Sequence, residues 1–368
     1  MKETLIDFSK GWSYVDPILH EPVQFTFMGT EDVLEGSSGT DANLFLVFKL
    51  IRWLSLGVPD TFQGFEVVIT FFWSLMLFFM LCKMKPIISI MEFAFISLSV
   101  IVLSVYCFSL AKEPVQMLFF LLMFWILHTS KLSDKQKNVL CILTILLSVV
   151  TFRTYYILIL LFGFVFQLWM ASKSQKRNKK STPAWITVVG VFIILSLTYL
   201  LIMTVLKFAK ADLYKRMADS LLYASEATSS SNTYIENAIC TNGSNNVILV
   251  WLEYTFTVLR MLIPVELFPL GPKYWPYILY QILLTGIVVK AICHYKENTK
   301  AQNIALFLLV GFIFTSATFE VDFGAWIRHC AVTFPLILIV SGIILAHHKA
   351  AAGLEPACNK QLILMQRR

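Results

Sequence analysis

Charge is scarce in this chain. Only 14% of its residues are Asp, Glu, Lys or Arg, while 57% are hydrophobic. No soluble single core needs that much apolar surface, and many runs approach the roughly 20 residues that span a bilayer. There is no Walker loop, no zinc-ligand spacing and no dinucleotide fingerprint. Nucleotide-driven chemistry, a structural metal and a cofactor therefore have no footing, and no nucleic-acid partner is implied. The seven cysteines lack paired spacing. Cys82, Cys107, Cys141, Cys293 and Cys330 fall in or beside apolar runs and read as small buried hydrophobes, not as a disulfide framework. No internal repeat is visible. Residues 1–62 hold neither a full span nor a signal peptide.

What is present is a succession of apolar segments. Length and hydropathy predict helices at about 65–84, 87–110, 114–129, 138–151, 154–171, 184–207, 276–294, 301–319 and 331–348. The expected class is an all-α polytopic membrane protein with about nine transmembrane helices. Lys83 and Lys85, then Lys131, Lys135 and Lys137, then Lys173 to Lys180, then Lys296 and Lys300, then Lys349 to Arg368 follow or precede alternate spans. Placing all five groups in the cytoplasm satisfies the positive-inside rule. That choice keeps 247–268 from crossing. The segment carries Glu253, Arg260 and Glu266 and ends among Pro264, Pro269, Pro272 and Pro276, so a re-entrant or interfacial element is expected. The chain then divides into an outer N-terminal loop at 1–64, six helices over 65–207, an outer loop with the re-entrant segment at 208–275, three helices over 276–350 and a cytoplasmic tail at 351–368. An outward start without a signal leads to the expectation that a helix precedes residue 1 in the natural protein.

With this orientation the remaining charges collect on the outer face. Arg153 lies within the apolar stretch from Asn138 to Ala171, too long for one span and barely enough for two. A guanidinium there is costly, at roughly 3–17 kcal/mol at a bilayer centre, and calls for a carboxylate or a phosphate partner. The alternative is a turn residue of a helical hairpin, snorkelling to the headgroups with Tyr155 and Tyr156 as an interface belt. Lys112-Glu113-Pro114 opens the third span. Capping explains Glu113 and Pro114 but not Lys112. Glu320, Asp322, Arg328 and His329 form the densest cluster, with Gly324 suited to a sharp turn and Trp326 to an interface anchor. An internal ion pair in a polar loop is one reading. The other uses the types present: Glu320, Asp322 or His329 takes a proton from a hydroxyl and an arginine holds a departing phosphate. Spacing does not choose between the two carboxylates. Arg260 is a further candidate for substrate contact. The loop 208–246 is polar and serine-rich. Its Asn242-Gly243-Ser244 sequon is weak evidence for glycosylation, and the run 36–41 reads as a flexible turn before an anion nest.

These pieces resemble a known group. The segments Ser109-Leu110-Ala111-Lys112-Glu113, Thr151-Phe152-Arg153-Thr154-Tyr155-Tyr156 and Asp322-Phe323-Gly324-Ala325-Trp326-Ile327-Arg328-His329, set among many spans with a large late outer loop, resemble bacterial O-antigen, capsular and exopolysaccharide polymerases (Wzy-type or EpsG-like). The likeness is architectural over 65–350. Such polymerases belong with multi-span glycosyltransferases of the GT-C type, which usually place an acidic residue in their first outer loop. Asp16, Glu31, Asp32 and Asp41 are the positions available for it here. The resemblance implies polymerisation of lipid-linked oligosaccharide repeat units on the outer face of the bacterial cytoplasmic membrane. Glu320, Asp322 or His329 would be catalytic, and Lys112, Glu113, Arg153, Arg260 and Arg328 substrate-binding. No metal or cofactor is implied, and the partners would be membrane lipid, a flippase and a chain-length regulator. The competing functions are a GT-C transferase adding one sugar from a polyprenyl-phosphate donor, and a polysaccharide transporter or flippase.

Overall fold

A computed structural model describes residues 12–15, 22–25, 62–85, 88–106, 112–175, 183–222, 233–239, 246–320 and 322–343. The expectations for Asp16, Glu31, Asp32, Asp41, the 36–41 run, the 242–244 sequon, Ser109 to Ala111 and the 351–368 tail lie outside these residues. Within 1–64, Trp12–Val15 (β1) pairs antiparallel with Pro22–Phe25 (β2), Trp12 opposite Phe25. Pro22 sits at the first strand position, where its missing N–H is tolerated.

The other named elements are helical. They are α1 (Phe62–Leu81), α2 (Ile90–Tyr106), α3 (Lys112–His128), α4 (Asp134–Thr151), α5 (Ile157–Gln175), α6 (Ala184–Ala209), α7 (Ala211–Leu222), α8 (Val247–Leu262), α9 (Trp275–Cys293), α10 (Lys300–Ser316), α11 (Phe323–Ala331) and α12 (Phe334–Val340). A helix stands at each of the nine predicted positions, yet fewer reach full span length. Thr154–Lys173, Ala184–Ala209 and Pro272–Cys293 are long and apolar enough to cross a membrane, and α11 with α12 make a fourth if their 67° bend lies within one span. Val67–Leu81, Ile90–Val105, Glu113–His128 and Lys300–Ser316 are apolar but shorter.

Local chemistry sets the helix starts. Ser133 with Gln136, and Thr299 with Gln302, form capping boxes at α4 and α10. Ser89 and Glu92 exchange the same pair of bonds at the start of α2, at 2.8 and 3.2 Å. α10 is the axis of the bundle. Every residue from Ala305 to Ser316 is buried, which a helix apolar on all sides requires. It lies antiparallel on α5: a Cβ on Gly311 would meet the Ile159 carbonyl oxygen at 2.2 Å, and one on Gly163 would meet the Phe307 ring at 2.7 Å. Small residues permit this backbone approach. The outer helices expose Phe71, Phe78, Val150, Leu201 and similar side chains, an apolar surface poorly suited to water.

Three expectations are corrected. The start of the 208–246 loop is helix α7, whose Tyr214, Met217, Ala218, Leu221 and Leu222 make a buried stripe at helical spacing. The polar turn at 320–329 is helix α11, with Gly324 inside its first turn and no sharp turn there. Trp326 is fully buried and donates its indole N–H to Gln281 Oε1 at 3.0 Å, so it does not anchor at an interface. Nothing overturns the expected re-entrant or interfacial element at 247–268, of which 247–262 is a helix against α6. Trp251 donates to the Ser196 carbonyl at 2.9 Å, Tyr254 stacks on Tyr199, and its hydroxyl donates to the Phe314 carbonyl.

The closeness of α5 and α10 predicts that Gly311→Ala forces the two backbones apart, costing about 1–3 kcal/mol. Gly286→Ala, whose Cβ meets nothing within 4 Å, should be neutral. Thermal melts of the purified protein in detergent check the pair. Equal melting temperatures for the two variants would contradict the packing.

Candidate functional site

The antiparallel arrangement brings one set of helix ends together: the start of α3, the end of α4, the start of α5 and the end of α10. Lys131, Lys135, Lys137 and Lys300 lie at the opposite ends of these helices. At the first set of ends five ionisable side chains meet. Glu113 comes from the first turn of α3. Arg153 sits between α4 and the 3-10 turn Thr154–Tyr156. Glu320 follows α10, and Arg328 and His329 occupy the last turn of α11.

His329 stands between the two carboxylates. Its Nδ1 is 2.9 Å from Glu320 Oε1, and its Nε2 is 3.8 Å from Glu113 Oε1. Arg328 Nε pairs with Glu113 Oε1 at 2.9 Å. Arg153 Nη1 lies 3.7 Å from Glu320 Oε1 and 3.4 Å from His329 Nδ1, and donates to the Tyr155 hydroxyl. The guanidinium also lies over the Phe152 and Tyr155 rings. Two guanidinium and two carboxylate charges cancel. Glu113 and His329 are buried, and Arg328 is the most open member, with 29% of its side chain exposed.

Burial raises the Glu320 pKa, but the charge and hydrogen bond of His329, with Arg153 and Arg328 behind them, outweigh it and hold the carboxyl down at about 2. Burial likewise disfavours the Arg153 charge, and the neighbouring tyrosines, Glu320 and Glu113 more than compensate. Glu320 is thus a carboxylate and Arg153 a cation throughout the neutral range.

Other expected residues are placed differently. Asp322 caps α11 by accepting the Ala325 N–H at 2.8 Å, and it takes the Thr233 hydroxyl at 2.8 Å. Arg260 is engaged by Glu266 and the Glu236 carbonyl, apart from the five-residue network. The Lys112 side chain lies outside the described residues. Tyr156 is core, 1% exposed, and not part of an interface belt. Residues 233–239 form a strap. Thr233 is tied to Asp322 and to the Phe323 N–H, Asn237 donates to the Leu222 carbonyl, and the fully buried Glu253 accepts the Ala238 and Ile239 amides. Glu253 is therefore an anchor for the backbone of the strap.

Two groups escaped sequence reasoning, and a third, Tyr156, was read only as an interface aromatic. Gln116 lies one helical turn after Glu113, Tyr156 three residues after Arg153 and Thr315 five before Glu320. All three are buried, and the side-chain amide of Gln116 and the hydroxyls of Tyr156 and Thr315 have no hydrogen-bond partner among the described residues. Unpaired polar atoms at such depth are uncommon. The Tyr156 and Phe120 rings both pack on Phe312, which brings α3, the 3-10 turn and α10 together beneath the charged groups. The available signal was a glutamine three residues from a glutamate in an otherwise apolar helix.

No family profile matches the sequence, and neither a curated protein nor a solved structure is significantly similar to it.

The depressed Glu320 carboxyl fixes a pH dependence. A group whose folded pKa lies below its unfolded value of about 4.3 stabilises the fold above that value and loses the contribution as pH falls through the folded one. Between about pH 5 and pH 2 the melting temperature of Glu320→Gln should therefore fall less steeply than that of the unmodified chain. Parallel curves would contradict the pairing.

Proposed function

We propose that this chain is a membrane-embedded glycosyltransferase that polymerises lipid-linked oligosaccharide repeat units on the outer face of a bacterial cytoplasmic membrane. The observation that carries this reading is the contact of the half-buried Glu320 with the buried His329, at 2.9 Å, flanked by the guanidiniums of Arg153 and Arg328. A carboxylate–imidazole pair is a proton acceptor of suitable strength for a sugar hydroxyl. Two arginines at the same end of the helices suit a pyrophosphate.

In the proposed reaction the acceptor is a single lipid-linked repeat unit and the donor is a growing glycan on a polyprenyl pyrophosphate. The acceptor hydroxyl oxygen bonds to the donor's anomeric carbon, and its proton passes to His329 with Glu320 behind the imidazole. The bond from that carbon to the pyrophosphate oxygen breaks, and the lipid pyrophosphate leaves with the electron pair. Arg328, the most open of the five groups, meets the departing charge first, and Arg153 stabilises it from deeper in the recess. The amide of Gln116 and the hydroxyl of Tyr156 supply unpaired polar atoms for a hydroxyl-bearing ligand or for water. Asp322 is left out of the chemistry, because its carboxylate oxygens serve the helix cap and Thr233.

The finer architecture belongs to the same proposal. The nine predicted segments are nine crossings in a GT-C-like arrangement, with α8 re-entrant or interfacial on the outer side. α2, α3 and α10, at 17 residues each, stand at the short limit for a span. The lysine-bearing helix ends then face the cytoplasm.

Gels of lipid-linked glycan from cells lacking the protein test the reading. The expected result is loss of the polymer ladder with single repeat units still transferred. Glu320→Gln, which takes the carboxylate from behind the His329 base, should lower polymer by about 100-fold or more. Arg153→Lys should lose most polymer, because lysine keeps the charge but not the fork. Asp322→Asn, which retains the cap, should polymerise normally. A normal ladder from Glu320→Gln would contradict the proposal. Sugars missing within the repeat unit would point to a single-sugar transferase, and units trapped inside to a flippase.

A further inference from the structure

At the end of the bundle away from the ion network, α2, α9, α10 and α12 enclose a cavity of about 460 Å³, within the usual size of a ligand site. Its walls divide by chemistry. Phe95, Leu283, Ile287 and Val340 make the apolar part. Lys290, His294, Asn298 and Gln302 make the polar part. The division follows from the sequence of α9. Ile282, Gly286 and Lys290 recur every four residues and form one ridge, apolar until its last member. Gly286 leaves the space open, for a Cβ there would meet nothing within 4 Å. Beside the cavity, Ile90, Met91, Phe93 and Ile282 are exposed apolar side chains, so it is bordered by a surface suited to hydrocarbon.

The lining carries one charge of each sign. Glu92 is its carboxylate, and Glu92 Oε2 accepts the Ser89 N–H at 2.8 Å in the cap of α2. Lys290 supplies the positive charge. His294 lies one turn further along, its Nδ1 2.9 Å from the Lys290 carbonyl oxygen. Asn298 is fixed by its bonds to the Ala291 carbonyl and to Asn303. With the Glu92 carboxylate engaged in the helix cap, the Lys290 ammonium is the charge left for an occupant, and an apolar slot that ends at an ammonium suits an amphiphile with an anionic head.

We infer that this cavity is a binding site for a diacyl phospholipid of net negative headgroup charge, with Lys290 at the headgroup and the acyl chains along Gly286 and Ile282. The site is independent of the proposed glycosyl transfer. It borders the first turn of α10 at Gln302, whereas Glu320 follows the last, and a helix of 17 residues places about 25 Å between those ends.

Native mass spectrometry of the full-length protein in mild detergent tests the site, with phosphatidylglycerol, phosphatidylcholine and glycerol phosphate as probes. Phosphatidylglycerol should be retained about fivefold or more over phosphatidylcholine, and Lys290→Gln should remove that preference. Gly286→Phe should fill the slot and lower retention of phosphatidylglycerol at least fivefold. Glycerol phosphate alone should not displace the lipid. Equal retention of the two lipids, an unchanged preference in Lys290→Gln, or displacement by glycerol phosphate would overturn the assignment. So would full retention by a folded Gly286→Phe. Should that variant fail to fold, the lipid preference and Lys290→Gln still decide.

Discussion

An ionised side chain withdrawn from water costs several kcal/mol unless an opposite charge and hydrogen bonds meet it. Glu113, Arg153, Glu320, Arg328 and His329 are all largely withdrawn, and each finds a counterpart in another segment of the chain. The mutual pairing of these five groups is the constraint on which the rest of the structure depends. It couples the start of α3 to the end of α11, and the junction of α4 and α5 to the residues after α10. A network of this kind is weak evidence for stability, since an apolar replacement often folds as well.

Packing supplies the precision. The glycines of α5 and α10 let two backbones touch, and Glu320 emerges where Arg153 leaves α4. The bend between α11 and α12 keeps the helix bearing Arg328 and His329 from simply continuing the line of α12. Asp322 starts α11 and ties it to the strap at 233–239, while Glu253 holds the other end of that strap. Two buried carboxylates thus fix the backbone of the strap beside the helix that carries two members of the network. Broken helices with polar groups at the break are a recurrent way to place chemistry within an apolar bundle.

Much of this was legible in the residues. Arg153 in an apolar stretch demanded an anionic partner, and Glu320 is that partner. Grouping Glu113, Arg153, Arg328 and His329 on one face followed from the lysine pattern, because helix direction alternates along the chain. What sequence could not supply was the division of labour between Glu320 and Asp322. They are two residues apart, and only the start of α11 decides that one caps while the other pairs with histidine. Trp326 and Tyr156 looked like interface aromatics because their polar tips permit it, yet tertiary packing buries both. Helix α7 was readable, with Tyr214, Met217, Leu221 at helical spacing, but the surrounding serines and charges masked the stripe. The capping boxes at 133–136 and 299–302 were likewise there to be read.

The central claim is spatial, so proximity tests it most directly. Cysteines at 113 and 328, and separately at 153 and 320, in a chain whose own cysteines are replaced, can be challenged in membranes with a short thiol-to-thiol reagent. The account predicts rapid cross-linking within each pair and none between 153 and 302, which lies at the far end of α10. Failure of both near pairs in a folded protein, or efficient linkage of 153 to 302, would contradict it.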